Sequence, residues 1–229
     1  MVTTPAGDPV AMVHCNNCTS DIDAWIRLFG EAASALGATY DERTLYQTLY
    51  KKALEGAPDC GGIMAFNYLS GEHVTKLEEG RPLLFRKPDA SFTLANVMRA
   101  HLTSACASLR IGMDILAAEK VELDAMTGHG GFFKAEGIGQ KIMSAALGTP
   151  VTVMETAGEG GPWGMAVLAA FLQNKASGES LSDYLTNRVF LGAKSVTVSA
   201  TGQEAAGFAA FMEGYKRALS VERAAVAAY

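Results

Sequence analysis

Residues 124–153 read "DAMTGHGGFFKAEGIGQKIMSAALGTPVTV". Three glycines and one histidine make a turn at 128–131, between a stretch with strand character and one with helical spacing. A chain that places so little side chain there is making a tight bend or letting its backbone approach something closely. Downstream the pattern recurs: "TPVTVMET" (149–156) reads as a strand, and "GEGGPWG" (158–164) opens a further helix. Helix N-termini carry unpaired N–H groups and partial positive charge, and glycine lets a phosphate or ribose reach them. Two such turns one strand apart are placed to line one cleft at the carboxyl ends of neighbouring strands. Tight strand-on-helix packing explains glycine equally well, so the pattern alone leaves both readings open. The dinucleotide fingerprint G-x-G-x-x-G fails at Phe133, and no G-x-x-x-x-G-K-[ST] loop occurs.

The rest of the chain extends this alternation. Strands are predicted at "PVAMVH" (9–14), within "GGIMAFNYLSGE" (61–72), at "RPLLFRK" (81–87), at "VELDAMTG" (121–128) and at "AKSVTVSA" (193–200). Helices are predicted after Thr19 or Ser20, after Asp41, over 91–120, over about 135–147 ending at Gly148, from the second glycine turn, over 180–190, and from about 202 to the end. In 91–120, Leu94, Val97, Met98, Leu102, Ala105, Leu109, Met113 and Leu116 recur at helical spacing, which marks a core face. Strands alternating with helices predict an α/β domain. No linker or fixed-period repeat divides the 229 residues, so one unit over 1–229 is expected.

Composition narrows the partners. The chain is 49% hydrophobic and 19% charged, with a net charge of −5. That balance argues against nucleic acid or an anionic membrane surface, both of which demand a basic footprint. No apolar run reaches membrane-spanning length, and the N-terminus lacks the basic-then-apolar order of a signal peptide. A cytoplasmic protein is the expectation. Met- and Ala-rich helices leave room for a homodimer.

The cysteines are Cys15, Cys18, Cys60 and Cys106. "HCNNC" (14–18) carries a single C-x-x-C. A zinc site would need a second pair, which the chain lacks, and a redox pair belongs where a strand turns into a helix, which is only loosely met. The favoured reading is a polar Asn-Asn turn flanked by two small buried thiols.

Five pieces now stand in order: "FNYLSGE" (66–72), "RAHLTSACASLRIGMDIL" (99–116), "MTGHGG" (126–131), "ALGTPVTV" (146–153) and "EGGPWGMAVLAA" (159–170). In this order the chain, over most of residues 9–175, resembles the C-terminal half of FGGY-family carbohydrate kinases, the group that includes xylulokinase and ribulokinase. The resemblance implies a ribonuclease-H-like lobe of the actin/hexokinase superfamily, a mixed sheet flanked by helices. It implies ATP with Mg²⁺ as cofactors and a small-molecule sugar as substrate, most similar to a pentulose such as D-xylulose. It also implies an N-terminal kinase lobe as partner, carrying the sugar site, the catalytic aspartate and the phosphate loops. In such kinases the first glycine turn meets the adenosine and α-phosphate, here Gly128, His129, Gly130 and Gly131. The residues after it border the adenine, here Phe132, Phe133, Lys134 and Glu136. The second turn, Gly160, Gly161 and Gly164, lies further from the nucleotide.

The chain departs from the family pattern in places. His129 fills a slot that is usually glycine. "LTS" replaces "LEG" at Leu102–Ser104, "GEH" replaces "GER" at Gly71–His73, and "PWGMA" replaces "ALGAA" at Pro162–Ala166. These point to a divergent branch. No residue of this chain is expected to be the catalytic base, and the chain alone is expected to be inactive. A non-enzymatic nucleotide-binding domain and a thiol protein built on Cys15 and Cys18 stand as the rival readings.

Overall fold

The computed structural model describes residues 2–133, 135–155 and 160–229. Its spine is a β-α-β unit. Strand β5 (Met126–Gly128) leads through the glycine turn to helix α5 (Ile138–Leu147). Gly148 ends that helix at φ +69°, a left-handed stop that glycine takes without strain, and the chain returns as β6 (Val151–Met154). β5 and β6 pair in parallel, Met126 with Val151 and Gly128 with Val153. β7 (Ser195–Val198) adds antiparallel to β6, Val198 facing Val151, so the three-stranded sheet is mixed. Gln140 on α5 ties it together, its amide donating to the carbonyls of Val151 (2.9 Å) and Val196 (2.7 Å).

A second antiparallel pair carries the larger core. β3 (Ile63–Phe66) meets β4 (Leu83–Arg86), Ile63 opposite Arg86 and Phe66 opposite Leu83. Four helices surround it. α1 (Ser20–Ala35) buries Ile22, Ile26 and Gly30 on one face. α2 (Glu42–Ala53) starts at Asp41, whose carboxylate accepts the Thr44 N–H at 2.9 Å. α3 (Leu94–Ser104) is buried on all sides from Ala95 to Ser104. The long α8 (Gly202–Ala228) opens with a reciprocal cap between Thr201 and Glu204. Phe66, Met98, Leu102, Phe211 and Tyr215 form the centre, each nearly or fully inaccessible. Burying Met98 or Leu102 contributes about 2 kcal/mol. Hydroxyls placed in this core pair with each other: Tyr215 donates to Tyr68 at 2.9 Å, and Tyr68 meets Ser108 at 3.0 Å and Thr75 at 3.2 Å.

The remaining elements are α4 (Ala107–Ala118), α6 (Gly160–Asn174), the short α7 (Leu181–Tyr184), which runs on in wider turns through Val189, and a two-residue ribbon of β1 (Val2–Thr3) with β2 (Pro9–Val10). None of the described helices is long and apolar enough to cross a membrane.

Four expectations need correction. The helix predicted over 91–120 is two helices. At the break the Cys106 N–H turns back to Thr103 O at 3.0 Å, the tighter bonding that ends a helix, and the Ser104 hydroxyl donates to Ala65 O at 2.8 Å. The strand expected over 9–14 survives only as Pro9–Val10, because the chain beyond it docks through side chains rather than along a sheet edge. The strand expected over 121–128 is only its last three residues, the part with β6 alongside. Thr19 holds the cap position of α1, but its backbone is helical and its side chain makes no capping bond.

Candidate functional site

The "HCNNC" stretch is a clasp. Asn17 is buried, and its side-chain oxygen accepts the N–H groups of Leu69 (3.0 Å) and Ser70 (3.1 Å), while its amide donates to Ser70 O at 3.1 Å. The fully buried Glu72 accepts the backbone N–H of Asn16 at 3.0 Å and of Asn17 at 3.3 Å. This pins the start of α1 to the "LSGE" loop. The four cysteines are free thiols, but those of the C-x-x-C are not both buried as expected: Cys15 is half-buried and Cys18 exposed, because Asn17 takes the buried position of the turn. Burial, with Glu72 close by, pushes Cys15 up to about 12, and its surroundings push Cys18 up to about 11, so both stay protonated and unreactive at neutral pH.

His101 locks the same region from inside. Asn67 spends its amide on the carbonyls of His101 (2.9 Å) and Cys18 (3.3 Å), which turns its oxygen toward His101 Nδ1 at 3.0 Å. His101 Nδ1 is therefore the donor. The ring packs on Trp25 at 4.8 Å, and burial lowers its pKa to about 4.

So clasped, the N-terminal end of α1 and one face of α2 enclose a cavity of about 670 Å³ against the first glycine turn. Thr19 and Asp23 come from α1. Glu42, Arg43, Tyr46, Gln47 and Tyr50 come from α2, and Gly131 and Ala135 close the far side. Tyr46 and Tyr50 lie one helical turn apart with rings 6.4 Å apart and 29° from parallel. Tyr46 donates its hydroxyl to Asp23 at 3.0 Å. Burial and that carboxylate push its phenol up to about 12, so it remains a neutral donor. The cavity pairs aromatic faces with a bare glycine backbone and polar edges. That suits a flat ring with hydrogen-bonding atoms on its rim.

The turn residues divide by task. Gly128 is buried, and an added Cβ would stand 2.7 Å from the Phe133 ring. Gly130 holds φ +96°, open to glycine but strained for other residues. Gly131 faces the cavity, with free space where a Cβ would point. Phe132 is a core residue, seated over Gly139, and Phe133 packs edge-on against it at 5.4 Å. His129 and Glu136 are exposed. Lys134 falls outside the described residues, as do Thr156 and the first two residues of the second turn, Gly158 and Glu159. The two turns nevertheless meet, since His129 lies directly against Gly160. The residues of α1 and α2 were not among the sequence candidates. Their only signal was two tyrosines four apart on a predicted helix.

Residues 1–172, three quarters of the chain, match the model of the FGGY family of carbohydrate kinases, C-terminal domain. The chain belongs to that family. Solved structures agree on the fold, which is actin/hexokinase-like. A xylulose kinase from Rhodospirillum rubrum aligns with a TM-score of 0.66 over 90% of this chain at 14% identity. A gluconate kinase from Lactobacillus acidophilus gives 0.65 over 90% at 16%, and a Plasmodium falciparum glycerol kinase with ADP gives 0.56 over 86% at 16%. This FGGY domain spans 38%, 38% and 37% of those chains respectively. No curated protein sequence matches it.

Proposed function

We propose that this FGGY domain is the nucleotide-holding lobe of an ATP-dependent sugar kinase, acting on a pentulose, D-xylulose first and D-ribulose next. The cavity between the first glycine turn and the tyrosines of α2 carries the reading. In it Tyr46 and Tyr50 offer walls to the purine, and the Gly131 backbone leaves room for the ribose and α-phosphate. Asp23, fixed by the Tyr46 hydroxyl, is an acceptor for an exocyclic amine. The preference for a pentulose is supported by the xylulose kinases among the structural neighbours, although a gluconate and a glycerol kinase stand beside them.

Phosphoryl transfer depends on positioning and on stabilising charge at the γ-phosphate. We assign this lobe the first part: it binds the adenosine, orients the phosphate chain and closes one side against water. Sugar binding and proton removal are assigned to an N-terminal lobe. Among the described residues no cluster of three or more His, Cys, Asp or Glu is arranged to hold a metal ion. Mg²⁺ would arrive on the phosphates of ATP and there offset charge on the transferring group.

The experiment is calorimetric titration of ADP into the chain, with Gly131→Val and Tyr46→Ala. Gly131 lines the cavity, is not among the positive-φ glycines and has open space beside it, so valine adds bulk at the cavity edge without straining the turn. Saturable binding weakened about tenfold or more in each variant supports the reading. Binding that ignores both variants, or none at millimolar ADP, overturns it. The chain by itself is expected to phosphorylate no pentulose, and turnover by the purified chain would refute the division of labour.

A further inference from the structure

A second cavity, of about 530 Å³, opens between the β3–β4 hairpin and α8 and shares no lining residue with the first. Its floor is apolar: Met64 and Phe85 from the hairpin, Phe211 from α8. Gly214 gives it depth, since an added Cβ there would stand 3.0 Å from the Met64 methyl.

The rim has the opposite character. Arg86, Lys87 and Arg217 stand around it, in a chain whose net charge is −5. Among the described residues Arg86 and Lys87 have no ion-pair partner, and Arg217 reaches only Glu213, at 4.0 Å with both side chains mostly exposed. Arg86 is steadied by the face of Phe92, 4.6 Å below its guanidinium. The rim's one carboxylate, Asp59, is committed to the turn, accepting the Gly61 N–H at 3.0 Å. Three cations, two of them without a carboxylate partner and the third only loosely paired, over an apolar, aromatic floor complement an anion with an apolar body. The volume is that of a small-molecule site.

We infer that this cavity binds a small organic phosphate with a flat apolar portion. The phosphate meets Arg86, Lys87 and Arg217, while the flat portion lies on Phe85 and Phe211. The inference does not depend on the nucleotide site.

The probe is 1-naphthyl phosphate, titrated by fluorescence into the full chain and into Tyr46→Ala, which impairs the first cavity. The variants are Gly214→Phe, which fills the floor, and Arg86→Glu with Arg217→Glu, which reverses the rim. Thermal unfolding checks that each remains folded, and the charge variant serves if Gly214→Phe does not fold. The expected result is one saturable site, about tenfold weaker in the charge variant and about tenfold weaker for 1-naphthol. No saturable binding, equal affinity for 1-naphthol, or binding lost in Tyr46→Ala but kept in the charge variant overturns the proposal.

Discussion

The side chain of His129 lies against Gly160, so close that an added Cβ on Gly160 would stand 3.0 Å from His129 Cβ. One residue belongs to the first glycine turn and the other to the second. The contact joins them across the carboxyl ends of β5 and β6 and turns two separate sequence features into one wall. An alanine at 160 would therefore have to push His129 aside by a few tenths of an ångström.

That dependence is testable. Gly160→Ala alone meets a Cβ that cannot swing away, and crowding of this kind costs about 1–3 kcal/mol. His129→Gly removes the obstacle. The double variant is expected to recover most of the loss, a coupling visible in thermal unfolding as a shift of about 2–4 °C per kcal/mol for a chain of this length. If the two changes add without coupling, the turns do not lean on each other.

The alternation of strands and helices, read from "DAMTGHGG" to "TPVTV", was enough for the α/β class, because parallel pairing and a crossover helix follow from local patterns. The cavity was legible only on one side. Gly131 advertised itself by its turn, but Tyr46, Tyr50 and Asp23 carry ordinary helix signals. They reach the glycine turn through tertiary packing, roughly 80 to 110 residues away in sequence. The break at Ala105–Cys106 was hidden because the apolar spacing runs on through it. At the break Ser104 donates to Ala65 O across the core, a contact that periodicity cannot express.

The clasp between Asn17 and the "LSGE" loop predicts an asymmetry between neighbours. Asn17→Ala removes a buried side chain that accepts the N–H groups of Leu69 and Ser70 and donates to Ser70 O, and each such bond contributes about 0.5–1.5 kcal/mol. Asn16 is exposed, and its side-chain bond to Gly71 O, at 2.8 Å, can pass to water. Denaturant midpoints are expected to fall clearly for Asn17→Ala and slightly for Asn16→Ala. Equal effects would mean that the clasp is not what holds α1 in place.

Cys18 is exposed, yet its pKa is pushed from 9.0 to about 11. At neutral pH the thiolate fraction falls by about a hundredfold for a shift of that size. Because Cys18 is partly open to solvent, iodoacetamide is expected to label it more slowly in the native protein than in urea by less than that hundredfold, followed by mass spectrometry. Fast native labelling at Cys18 would revive a redox role for the C-x-x-C.

His101 sets a pH dependence whose direction can be worked out. Burial lowers its pKa from 6.5 to about 4, so the unfolded chain takes up this proton at a higher pH than the folded one. Its contribution is fully present above about 6.5 and is lost as pH falls from there toward 4, amounting to about 3 kcal/mol if the ring is fully shielded. Asp21, whose Oδ2 stands 3.7 Å from His101 Nδ1, opposes this trend. Burial raises its pKa, so the folded chain holds that proton more readily as pH drops. The net expectation is a decline in unfolding free energy across pH 6.5 to 4 that is smaller than His101 alone would give. In His101→Gln the decline is expected to flatten or reverse, because Asp21 then acts without its opponent. Chemical denaturation at half-unit pH steps measures both slopes. Identical slopes in the two proteins would show that His101 takes up its proton in the fold no later than in the unfolded chain, against this expectation.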